Sequence, residues 1–127
     1  MNKYETSSLK NSELKQNKEK LIHLMEGQKP YLNPSLSLSD LANKISIPHR
    51  QLSQVINESF NQNFYDFVNT YRITECKRLL NHCSDEKKTI IEIAFEVGFN
   101  SKSTFNKAFK KHTGLTPKEY KKVRIDP

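Results

Sequence analysis

Cysteine, glycine and long apolar runs are what this chain of 127 residues is short of. Its two cysteines, Cys76 and Cys83, lack CxxC spacing and stand in no cluster with histidine. That removes a disulfide framework and a zinc site as organising devices and fits a reducing, cytoplasmic setting. No apolar run approaches the roughly 18 residues of a membrane span, and the first residues lack the apolar core of a signal peptide. With three Gly, five Pro, no alternating β-branched run and no Asn-Gly pair, strand and hairpin signals are poor. An all-α fold is expected.

A catalytic constellation is missing as well. His23, His49, His82 and His112 lack metal-ligand spacing, and no Gly-rich phosphate loop is present. No enzyme is expected, and neither a metal nor a cofactor is implied. His112 reads as a packed helix residue, and His82 with Cys83 as a loop pair.

What the chain does have is positive charge. Lys and Arg number 21 against 14 acids, for a net charge of +7. The excess is localised: from Lys102 to Arg124 there are eight cations and a single acid, Glu119. Such a footprint points to a polyanionic partner rather than to an evenly solvated surface.

The length allows one compact domain, or two very small subdomains sharing a helix. Residues 1–12 are polar and aperiodic, and are expected to be a disordered tail or the remnant of a linker. From Glu13 to Glu26, Leu14, Leu21, Leu24 and Met25 recur at helical spacing. Pro30 and Pro34 then stop that helix and predict an extended connector.

Beyond the connector the sequence repeats weakly. Leu38-Ser-Asp-Leu-Ala42 matches Ile90-Ile-Glu-Ile-Ala94, each with an acid near the start of a short helix, where the helix dipole favours it. With one extra residue in the second turn, Leu52, Val55 and Ile56 align with Phe105, Ala108 and Phe109. Asn61 then falls on Gly114, two residue types that tolerate a left-handed helix end. Asn63 falls on Thr116, two N-cap types, and Phe67 falls on Tyr120.

Each repeat reads as short helix, tight turn, longer helix, cap and next helix, the outline of a helix-turn-helix. The units are expected at about residues 36–62 and 89–123. Between them Phe64 to about Leu80, without Gly or Pro, predicts a connecting helix of roughly 25 Å. That length is compatible with the roughly 34 Å between equivalent major-groove positions one turn apart.

The second helix of each unit has a polar stripe. In the later unit Phe105, Ala108, Phe109 and His112 fall inward, leaving Lys102, Ser103, Asn106, Lys107 and Lys110 outward. In the earlier one Leu52, Val55, Ile56 and Phe60 fall inward, leaving His49, Arg50, Ser53, Gln54 and Asn57 outward. Any exposed helix face is polar, so one stripe alone decides little. Two stripes at matching places in two repeats are harder to assign to generic surface. Arg is the usual reader of guanine, Gln and Asn of adenine, and Ser serves either.

Double-stranded DNA is therefore the expected partner. Base contacts are expected from within these two stripes. Phosphate contacts are expected from His49, Asn57, Lys110, Lys111 and Lys118, with Lys121, Lys122 and helix-start amides in support. A helical protein–protein module is the alternative, separable by its weaker salt dependence. RNA is disfavoured, because Phe99, Phe105 and Phe109 sit on packing faces and leave no aromatic platform for splayed bases.

The stretch Ile93-Ala-Phe-Glu-Val-Gly-Phe-Asn-Ser-Lys-Ser-Thr-Phe-Asn-Lys-Ala-Phe-Lys-Lys-His-Thr-Gly-Leu-Thr-Pro-Lys-Glu-Tyr120 resembles the signature of the AraC/XylS family of transcription regulators. The resemblance extends upstream to Leu38 and covers about the last 90 residues. It implies seven helices, two helix-turn-helix subdomains bridged by a long central helix, and DNA-dependent control of transcription. Carried over by position, the family's base-reading sites fall on Arg50, Ser53 and Gln54 in the first unit and on Lys102, Ser103, Asn106 and Lys107 in the second, and so overlap the stripes above. Ser46 departs from the pattern where the turn usually has Gly, and Pro48 where the N-cap usually has Ser or Thr. Family members usually join this domain to an upstream sensor or dimerisation region, so a C-terminal piece of a larger regulator is expected here. RNA polymerase is a further candidate partner by the same resemblance.

Overall fold

Helices in this protein begin where a short side-chain acceptor precedes an apolar run and end where the backbone can turn left-handed. The structure, a computed structural model, describes residues 3–82 and 88–125. Among these are seven α-helices: α1 (Lys3–Gln28), α2 (Leu38–Ile45), α3 (His49–Phe60), α4 (Phe64–His82), α5 (Ile90–Glu96), α6 (Lys102–Thr113) and α7 (Pro117–Ile125). No strand is present among the described residues. The fold is the expected all-α arrangement, with α4 as the long central helix.

Two expectations need correction. α1 starts at Lys3, not Glu13, so the polar stretch read as a tail is helical from its third residue. Residues 3–12 contain no Gly or Pro, and Lys, Glu and Leu among them are good helix formers, so propensity carries the helix beyond its apolar stripe. The connector is not simply extended either: Pro30–Leu32 form one turn of 3₁₀-helix. Cys83 and residues 1 and 2 lie outside the described residues.

Caps fix the helix starts. Ser37 Oγ accepts from the Asp40 backbone N–H at 3.0 Å, and the Asp40 carboxylate accepts from the Ser37 N–H at 3.1 Å. Thr89 caps α5 through the Glu92 N–H at 3.2 Å, and Ser101 caps α6 through the Thr104 N–H at 3.1 Å. Asn63 and Thr116, matched in the repeat, cap α4 and α7 by accepting from the Asp66 N–H at 2.8 Å and the Glu119 N–H at 3.1 Å. Each such bond satisfies a helix donor that has no partner inside the helix.

The tight turns correspond bond for bond. The Ile47 N–H reaches the Ala42 carbonyl at 3.1 Å, as the Phe99 N–H reaches Ala94 at 3.1 Å. One residue earlier, Ser46 donates to Asn43 at 3.3 Å and Gly98 to Phe95 at 3.2 Å. The longer helices also end alike, on Asn61 at φ 53° and Gly114 at φ 78°.

The chain divides into two compact units, Met1–Pro30 with Leu36–Phe67, and Tyr31–Ser35 with Val68–Pro127. In the first, α1 packs on α2 and α3. Leu21 and Met25 of α1, Leu41 of α2 and Leu52 of α3 are wholly buried, and the Phe60 and Phe67 rings lie 4.8 Å apart. In the second, Ile73, Cys76 and Leu80 of α4 join Ile93, Phe105 and Phe109 in one core. Phe109 stacks edge-on with Tyr120 at 5.4 Å and tilts against Phe105 at 5.6 Å. Burying each such ring stabilises the unit by roughly 1.5–3 kcal/mol.

The connector belongs to the second unit through Arg72. Its Nε donates to the Tyr31 carbonyl at 2.8 Å and one terminal nitrogen to the Asn33 carbonyl at 3.0 Å, while its guanidinium lies 5.8 Å from the Phe99 ring centre. Burial lowers the pKa of this arginine and pushes the nearby Tyr31 hydroxyl up to about 12.

Candidate nucleic-acid interface

The inward residues of α3 and α6 dictate what is left outside. Leu52, Val55 and Ile56 are buried on α3, and Phe105, Ala108 and Phe109 on α6, at the spacing of one helical face. Phe60, expected inward, is half-buried.

On α3, His49, Arg50 and Asn57 are exposed, whereas Ser53 and Gln54 are half-buried. Two of these side chains have protein partners. His49 Nε2 lies 3.0 Å from Ser39 Oγ on α2, and the Gln54 side-chain amide donates to the Glu58 carboxylate at 3.4 Å. Neither Ser39 nor Glu58 was singled out from the sequence. A signal for Ser39 was present, because it is the polar residue standing where the second repeat has Ile91. Glu58 was visible as the residue one helical turn beyond Gln54.

On α6, all of Lys102, Ser103, Asn106, Lys107, Lys110 and Lys111 are exposed. The helix has no acidic residue, and Lys110, Lys111 and His112 fill its last turn. His112 is half-buried, as the packing reading required, with Nε2 3.5 Å from Thr70 Oγ1 on α4. Beside the lysines runs an open groove of about 790 Å³ with Ile90, Ile91, Phe105 and Pro117 along it. Lys102, Lys107, Lys110, Lys111 and Lys118 also line it. The apolar part of this groove has no counterpart in the sequence reading, where Ile90 and Ile91 figure only in the repeat match of the short helix.

Lys118 lies in the first turn of α7 and is exposed, as is Lys122, while Lys121 is half-buried. In the same turn the Thr116 backbone N–H, and then its hydroxyl, hold the Glu119 carboxyl below its ordinary value, helped by the charges of Lys110 and Lys122. Among the described residues no group of three His, Cys, Asp or Glu side chains is placed to hold a metal ion, and no helix is long and apolar enough to cross a membrane. Within each unit, then, the outward residues form one polar stripe on the helix after the turn. The first is mixed and nearly neutral, and the second is rich in lysine.

Residues 41–123 match the family model described as a helix-turn-helix domain. An uncharacterized HTH-type transcriptional regulator of Staphylococcus aureus (strain COL) is 37% identical over 91 residues, which is 72% of this chain but 12% of that protein. The chain thus spans about an eighth of the length of that curated relative. Two solved structures are similar throughout. The C-terminal domain of the two-component response regulator yesN from Fusobacterium nucleatum is 31% identical with a TM-score of 0.66, over 84% of this chain and 98% of that one. An AraC-type transcriptional regulator structure from Chromobacterium violaceum is 25% identical with a TM-score of 0.72, over 89% and 96%.

Proposed function

The chain belongs to the AraC-type helix-turn-helix family, and from that premise we propose that it binds double-stranded DNA sequence-specifically through α3 and α6, as the output domain of a larger transcription regulator. The observation that carries this reading is the recurrence of an exposed polar stripe at matching positions of two units whose turns share their hydrogen bonds. A helix presented after such a turn enters a major groove, where each base pair shows its own donor and acceptor pattern.

In this assignment Arg50, Ser53 and Gln54 read one groove, and Lys102, Ser103, Asn106 and Lys107 the next. His49, Asn57, Lys110, Lys111 and Lys118 hold phosphates. A binding role without catalysis, carried out in the cytoplasm, is the reading that the same family membership supports. An upstream sensor or dimerisation region and RNA polymerase are the partners assigned to the whole regulator.

The test is selection from a random duplex library at about 150 mM salt, where weak nonspecific contacts are suppressed, followed by sequencing of the bound fraction. The expected result is an enriched site with two short elements about 10 base pairs apart. Salt-sensitive binding without enrichment would reduce the chain to a phosphate binder. Binding insensitive to salt would favour a protein-docking module instead.

A further inference from the structure

The two stripes match in position but not in charge. α3 carries one cation, Arg50, and one acid, Glu58, whereas α6 carries four lysines and no acid. The contrast holds at most matching positions and reverses at one, where Arg50 stands against Ser103. Lys107 stands where the first unit has Gln54, Lys110 where it has Asn57, and Lys111 where it has Glu58. At the start of the following helix, Lys118 stands where the first unit has Tyr65, which is 75% exposed. Lys102 corresponds to His49, whose ring is tied to Ser39; the residue matching Ser39 is Ile91, which has no hydrogen-bonding side chain.

These differences select different ligand chemistry. A lysine ammonium is a compact charge on a flexible stem, suited to phosphate oxygens in any sequence and poor at fixing direction. The first unit offers a guanidinium, an amide and a hydroxyl, all directional, whereas the second sets the Ser103 hydroxyl and the Asn106 amide among four lysines. Its Gln54 amide is held by Glu58, which helps set which amide edge faces outward. A carboxylate there opposes backbone affinity and so favours reading over anchoring in the first unit.

Resting on the duplex-DNA reading proposed above, we infer that the two units divide the work of binding. The second unit anchors the chain to the phosphates of any duplex and accounts for most of the salt dependence. The first unit supplies most of the discrimination between sequences, with Glu58 as a positioning residue for Gln54.

The test uses the 127-residue chain, a selected duplex and a random duplex, with dissociation constants measured from 50 to 200 mM salt. One variant combines Lys110→Gln, Lys111→Gln and Lys118→Gln, all at exposed positions; the other combines Arg50→Ala and Gln54→Ala. Far-UV circular dichroism checks that both remain folded. The lysine variant is expected to flatten the slope of log K against log salt by about 2–3 and to weaken both duplexes alike. The Arg50/Gln54 variant is expected to change that slope by about 1 at most, while the preference for the selected duplex falls at least tenfold. Equal slope changes in the two variants, or a larger loss of preference in the lysine variant, would overturn the division. A separate readout is Glu58→Ala, which should alter base preference at the Gln54 position without steepening discrimination elsewhere; an unchanged preference would remove the positioning role. Absence of salt-dependent duplex binding by the unsubstituted chain would instead sink the DNA reading itself.

Discussion

Ser46 and Gly98 hold the same place in the two tight turns, both at positive φ, 56° and 112° respectively. Their surroundings differ. A Cβ on Gly98 would lie 2.2 Å from the Tyr31 carbonyl oxygen and 2.7 Å from Arg72 Nε, so the second turn is closed against the connector and admits no side chain. Ser46 is exposed and already carries a Cβ. Gly98→Ala is therefore expected to cost about 3 kcal/mol or more, from the conformation and the clash together. Ser46→Gly should fall within about 1 kcal/mol of the parent, on the stabilising side, because the left-handed strain is relieved. Urea midpoints of the two variants check both.

The starts of α3 and α6 differ in the same manner. Pro48 occupies the N-cap of α3 without a side-chain hydrogen bond, while Ser101 Oγ accepts from the Thr104 N–H at 3.1 Å. Ser101→Ala should destabilise the protein by about 1 kcal/mol, whereas Pro48→Ala should change stability by a few tenths, through chain entropy alone. Equal losses in chemical denaturation would show that the Ser101 cap contributes nothing special.

Much of this fold was legible because local chemistry and tertiary demand agree. The left-handed ends at Asn61 and Gly114 and the caps at Asn63 and Thr116 follow from residue type and repeat position, and the structure has all four. What was hidden depends on neighbours distant in sequence. The Ser39–His49 bond requires α2 and α3 to be brought together, and the groove beside α6 depends on Ile90 and Ile91 being only partly covered by other elements. The helical start at Lys3 was missed for a different reason: periodicity registers an apolar stripe, and residues 3–12 extend the helix by propensity without one.

Acid should act on α7 through Glu119. Its folded carboxyl titrates below the ordinary value of 4.5, held down by the Thr116 N–H and hydroxyl. A lowered folded pKa gives stability that is complete above the ordinary value and is lost as pH falls from there through the folded one. Thermal midpoints of the parent and of Glu119→Gln should therefore differ at pH 7 and converge under acid. A difference that stays constant from neutral to acid pH would show that the Thr116–Glu119 capping box does not titrate.

Arg50 and Asn106 provide the most direct discrimination between reading and anchoring, because both are exposed and each can bond a base edge in two places. Arg50→Ala and Asn106→Ala should each weaken binding to the selected site, within about 1–3 kcal/mol and with the larger loss at Arg50, while leaving random duplex nearly unchanged. Arg50→Ala also removes the one cation of α3, so it alone should lower the salt slope, by about 1. Asn106 has no charge to lose, and any fall in its salt slope would mean that the lysines around it had shifted. The measurement is a fluorescence-anisotropy titration on both duplexes at two salt concentrations. Equal losses on selected and random DNA would move either residue from base reading to phosphate contact. If Arg50 moved in that way, the first unit would be left with Ser53 and Gln54, both half-buried, as its readers. The sequence preference would then have to be sought in the Ser103 and Asn106 side chains of α6, both exposed.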